Sequence, residues 1–133
     1  MIVKCVENTG KNLPKELFSY HGWNREMEFV KVTIGKKYVV YAIKYFLGHP
    51  FYMICGDDYD GLYINYPELV PSVLFEVIDN SESIFWISNR KKDIGFKEII
   101  EDEFFYGNLL EGDEENVKIF SSMKRKIDNE NAH

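Results

Sequence analysis

Apolar and polar residues alternate at the start of the chain, where Val3 and Cys5 flank Lys4. A period of two predicts a strand over MIVKCV. ENTGKNLP reads as a loop, because Asn8, Gly10, Asn12 and Pro14 each favour turns. Residues 15–29, KELFSYHGWNREMEF, fit either a short helix ending at Gly22 or a long loop laying Phe18, Tyr20 and Trp23 over a core. Val30, Val32 and Ile34 then alternate with Lys31 and Thr33, which predicts a strand up to Gly35. KYVVYAI resumes in β-branched and aromatic residues. LGHP reads as a turn, FYMIC as a strand, GDDYDG as a hairpin turn and LYINY as the returning strand. PELVPS, with Pro67 and Pro71, reads as a connection. VLFEVID and ESIFWIS read as further strands joined through DNSE. Turn signals at this frequency predict a small all-β sandwich or barrel.

The pattern changes after Asn89. RKKD reads as a polar linker and GFKEIIEDEFF as a short helix, with a break at YGNLLEG. DEENVKIFSSMKRKID carries the strongest helical signal. Asp113 suits the N-cap, because its carboxylate can accept from free N–H groups of the first turn. Glu114 and Glu115 complement the positive end of the helix dipole, and Lys124, Arg125 and Lys126 the negative end. Ile119, Phe120, Met123 and Ile127 recur at helical spacing, a stripe best used as core because a marginal helix needs packing. The expected organisation is a β core over residues 1–89 and an acidic helical tail over 90–133, packed as one unit.

Composition supports a real core: 45% of the 133 residues are hydrophobic and 16% aromatic, which argues against disorder. MIVKCVENTG lacks the basic start and apolar run of a signal peptide. No apolar run reaches the roughly 18 residues of a membrane span. The chain is expected to be soluble, cytoplasmic and not membrane-bound, with Cys5 and Cys55 as thiols rather than a disulfide. The net charge of −6 is unevenly placed. Residues 1–97 hold 12 basic and 12 acidic side chains, while residues 98–133 hold 4 and 10. Such a field attracts basic partners and repels phosphate backbones. Nucleic acid is therefore not an expected partner, although Lys36, Lys37, Lys44, Arg90, Lys91 and Lys92 are available.

Catalytic and metal chemistry find little support. With Gly61 as the sixth position of a calcium loop, the first position falls on Gly56 and the twelfth on Pro67, so both anchoring ligands are missing. The cysteines and His21, His49 and His133 contain no CxxC or HxxxH pair for zinc. Cys55 with His21 or His49 and Asp57 supplies the residue types of a nucleophilic set. Asp57, however, would disfavour the thiolate. The chain also lacks GxGxxG and GxxxxGK[ST] phosphate loops. No cofactor, metal or catalytic residue is expected.

VKCVENTG, VTIGKKYVVYAI, YMICGDD, YP and LFEVID, in that order, resemble the small bacterial and phage SH3-like β-barrel domains. That resemblance covers about residues 1–80 and implies a binding scaffold without conserved chemistry. It implies a mainly β fold, an SH3-like barrel or strongly bent antiparallel sheet, with two short C-terminal helices. The concentrated acidity and short length are similar to the immunity proteins of bacterial toxin–immunity pairs. That likeness implies a non-enzymatic inhibitor binding a basic toxin or nuclease. Its partner face is expected at Glu98, Glu101, Asp102, Glu103, Tyr106, Glu111, Asp113 and Glu114, with Phe104 and Phe105 sealing the tail onto the barrel. The alternative is a small-ligand or regulatory module using Trp23, Tyr41, Tyr45 and Trp86. Oligomeric state is left open.

Overall fold

The computed structural model describes residues 1–18, 22–57 and 67–132. Its strands are β1 (Ile2–Cys5), β2 (Lys37–Val39), β3 (Ala42–Phe46), β4 (His49–Ile54), β5 (Glu68–Pro71), β6 (Phe75–Asp79), β7 (Trp86–Ser88) and β8 (Ile94–Phe96). Three helices follow, α1 (Lys97–Glu101), α2 (Phe105–Leu110) and α3 (Glu114–Glu130). The strands form two antiparallel sheets rather than one closed barrel: β2–β1–β6 and β5–β4–β3–β8–β7. The chain passes between the sheets three times: at Val40–Tyr41, at a single 3-10 turn, Ser72–Leu74, and over residues 80–85 between β6 and β7.

The larger sheet is covered on both faces. Tyr52, Ile54 and Val70 face a cluster with Val3, Cys5, Tyr38 and Leu74 of the smaller-sheet side. Ala42, Met53 and Phe96 face Ile99, Phe105, Leu109, Phe120 and Ile127 of the helices. Burial on two faces explains why β4 reads as the continuous run FYMI instead of alternating. Leu47 and Gly48 join β3 to β4 with φ of 52° and 79°, the left-handed pair that a two-residue hairpin turn requires.

Several expectations change. Val30–Ile34 is loop, and Val30 is 77% exposed. Its backbone bonds serve turns and Asp57: Val32 N–H donates to Phe29 O at 3.3 Å, and Lys31 O accepts from Asp57 N–H at 2.8 Å. Only Val32 of the apparent alternation is buried. PELVPS contains β5 rather than a plain connection. β5 is the outermost strand of its sheet, where a proline costs least. Residues 22–29 are irregular and bridge back to the first loop through Thr9 and Glu28. The helical tail has three segments, and the last, of 17 residues, is not short. LYINY, the calcium register on Gly61, Tyr20 and His21 lie outside the described residues.

Residue 89 is not a break between sheet and tail. NRKKD is the turn of the β7–β8 hairpin, and β8 enters the sheet between β7 and β3. Gly95 permits that approach, since a Cβ there would lie 2.7 Å from Ala42 Cβ and 2.9 Å from Ile99 Cγ2. In α3, Asp113 caps as expected, accepting from Asn116 N–H at 3.0 Å. Phe120 and Ile127 are buried, with Ile119 and Met123 packed beside them. Tyr41 ties the sheet to this helix through an O–H bond to Asp128 at 2.6 Å.

Candidate partner-binding cleft

Asp102 ends α1 and sets the turn that follows. Its N–H donates to Glu98 O at 3.1 Å, its Oδ1 accepts from Phe104 N–H at 2.9 Å, and its carbonyl accepts from Phe105 N–H at 3.1 Å. This turn fixes the phase of α2. Phe105 and Leu109, one helical turn apart, point inward, and Phe105 meets Phe96 edge-on at 5.6 Å. Phe104 is left outside at 65% exposure, next to Phe105 at 1%. The expectation that both rings seal the tail therefore holds for Phe105 alone. Tyr106 takes the place foreseen for Phe104: it is half-buried, and its hydroxyl donates to Pro67 O at 3.3 Å. Burial is the main reason its phenol is pushed up to about 12.

Opposite the Asp102 turn stands the β7–β8 turn. Asn89 Oδ1 accepts from Lys91 N–H at 2.9 Å and Asp93 N–H at 3.0 Å. Asp93 is buried and accepts from Tyr45 N–H at 2.9 Å. These bonds hold Arg90 and Lys91 at the surface. Between the two turns lies a cleft of about 590 Å³. Lys44, Arg90 and Lys91 stand on its lining with Glu101, Asp102, Glu103, Ile100 and Phe104. Among the described residues, no ion pair joins these cations to these acids.

The expected partner residues thus separate. Glu101, Asp102 and Glu103 line the cleft and are exposed. Glu111, Asp113 and Glu114 are exposed at the α2–α3 corner, outside the cleft's lining, with Asp113 engaged as a cap. Glu98 is half-buried, and its Oε2 has no hydrogen-bond partner among the described residues. Sequence reasoning missed Phe104 as the exposed ring and Arg90 and Lys91 as the facing wall. The signal for the wall was Asn89, a turn former two residues before Lys91.

The four alternative ligand residues do not share a site. Trp23 lines a separate cavity of about 240 Å³ between the 22–32 loop and β5, and its ring packs on Phe29 at 5.3 Å and Phe51 at 6.2 Å. Tyr41 is buried against Phe120. Trp86 packs between two core clusters. Tyr45 is at the surface.

No protein-family model, curated protein or solved structure matches the chain.

Asp57 and His49, two of the residues considered for catalysis, have partners among the described residues. Asp57 accepts from Thr33 Oγ1 at 2.6 Å, Tyr38 O–H at 2.7 Å and Lys36 Nζ at 2.9 Å. Partial burial pushes its pKa up, but the bonds from Lys36, Thr33 and Tyr38 outweigh burial and leave it below the ordinary value. Tyr38 is pushed up to about 12, first by burial and then by its bond to Asp57. His49 lies 3.4 Å from Glu16. Cys5 and Cys55 are thiols, and burial pushes the Cys5 thiol up. No group of three potential ligands is placed to hold a metal among the described residues, and no described helix is long and apolar enough to cross a membrane.

Proposed function

We propose that this protein is a non-enzymatic binding module of the immunity type, which docks a basic protein partner through the Glu101–Phe104 turn. The observation that carries this reading is Phe104, exposed at 65% among three exposed acids and directly beside a residue of the core. An apolar ring costs free energy in water. Set within carboxylates, it has the composition of an interface anchor with a charged rim. Carboxylates there would speed the approach of a basic toxin or nuclease and pair with its cations.

The test is co-expression and pull-down with the product of the neighbouring gene, at low and high salt. A complex weakened by salt and by the Glu101→Lys, Glu103→Lys double variant is expected. No complex, or a complex indifferent to that variant, overturns the reading. The cavity beside Trp23 favours a second reading, a small-ligand module. A thermal-shift screen that finds a metabolite whose effect is lost in Trp23→Ala supports it.

A further inference from the structure

We infer that the cleft between the β7–β8 and α1–α2 turns is a slot for a partner arginine whose chain neighbour is a carboxylate. This rests on the docking reading above and names the chemistry of its anchor. The slot's exposed charges differ in sign from wall to wall. Glu101, Asp102 and Glu103 stand on one, and Arg90 and Lys91 on the other, where the Asp93 carboxylate is buried and accepts from Tyr45 N–H; Phe104 is exposed on the lining. The walls do not satisfy each other through any ion pair among the described residues.

Each wall rejects one class of occupant. A phosphate backbone meets the carboxylates and is repelled. A uniformly basic segment meets Arg90 and Lys91 and is repelled by like charge. A segment carrying both signs side by side satisfies both walls. The cation is assigned as arginine because a guanidinium pairs with carboxylates through parallel N–H bonds and stacks on an aromatic face. An ammonium group lacks the planar fork. At about 590 Å³ the cleft is large enough for two adjacent side chains and their backbone. Both rims are pinned by side-chain-to-backbone bonds, from Asn89 on one side and Asp102 on the other. The backbone of both rims is therefore ordered before binding, and the ordering cost falls on the exposed side chains.

The experiment titrates three capped dipeptides, arginyl-aspartate, arginyl-arginine and lysyl-aspartate, into the full ¹⁵N-labelled chain. It follows the amides of residues 90–91 and 101–104 by NMR. Arginyl-aspartate is expected to shift both sets saturably and to bind about tenfold more tightly than either other dipeptide, a difference of about 1.4 kcal/mol. Phe104→Ala and the Arg90→Glu, Lys91→Glu double variant should each weaken it about tenfold while the remaining amide spectrum stays dispersed. Equal or tighter binding of arginyl-arginine overturns the inference, as does an absence of shifts at both turns. If the dipeptides fail but the neighbouring gene product is still captured through Glu101 and Glu103, the slot is wrong and the docking reading stands. If arginyl-aspartate fills the slot but no basic protein is captured, the slot stands and the docking reading is wrong.

Discussion

Asp57 and the Glu101–Glu103 stretch are both acids set beside apolar runs, and the fold uses them in opposite ways. Asp57 is surrounded by donors: Thr33, Lys36 and Tyr38 bond its carboxylate and so fasten the 33–36 turn and β2 to the segment just after β4. Glu101 and Glu103 face solvent and make no ion pair among the described residues. Acidity in a sequence therefore says nothing about its use until the nearby donors are known. The same contrast recurs within one dipeptide, where Phe105 is core and Phe104 is surface.

The largest effect should come from that dipeptide. Phe105→Ala removes a ring packed against Phe96 and should cost about 3–5 kcal/mol in urea denaturation. A loss below about 1 kcal/mol would mean that the inward and outward rings have been assigned wrongly. Next comes Asp57→Ala, which takes the acceptor from the Tyr38 hydroxyl, leaving it only the Thr33 N–H bond, and unfastens the 33–36 turn. The expected loss is about 2 kcal/mol. A neutral result would remove the distinction between the two acidic stretches.

The third prediction concerns pH. The folded pKa of Asp57 lies below its unfolded value, so its contribution is complete above the unfolded pKa of about 3.9 and is lost as pH falls through the folded pKa. Denaturation of the protein and of Asp57→Asn should differ by a constant amount near neutral pH, and the two should converge in strong acid. The smallest effect belongs to the Glu101→Gln, Glu103→Gln variant and to Phe104→Ala, whose stabilities should each stay within about 0.5 kcal/mol of the parent. A larger loss would place these residues in the scaffold with Asp57.

The sequence exposed what depends on near neighbours. The Asp113 cap and the Phe120–Ile127 stripe are set within a few residues, and both are present. β5 was hidden because a proline is tolerated or forbidden according to whether its strand lies at an edge, which no local pattern records. β8 is three residues long and too short to show a period. The candidate cleft was half legible. Its acids stood out by charge, but the outward turn of Phe104 follows from the phase set by Asp102. The facing wall follows from β8 bringing the β7–β8 turn beside α1.

The position of β8 also orders events in time. β3 and β4 can pair early, because Leu47 and Gly48 alone separate them. The other edge of β3 receives Ile94 and Gly95 only much later in the chain. A growing polypeptide therefore carries an open strand edge at Ala42–Ile43, and one apolar sheet face without its helices, until residues near 127 have been made. Such edges recruit other chains. A fragment ending at Asn89 should accumulate as aggregate, and only the full chain closes its own sheet.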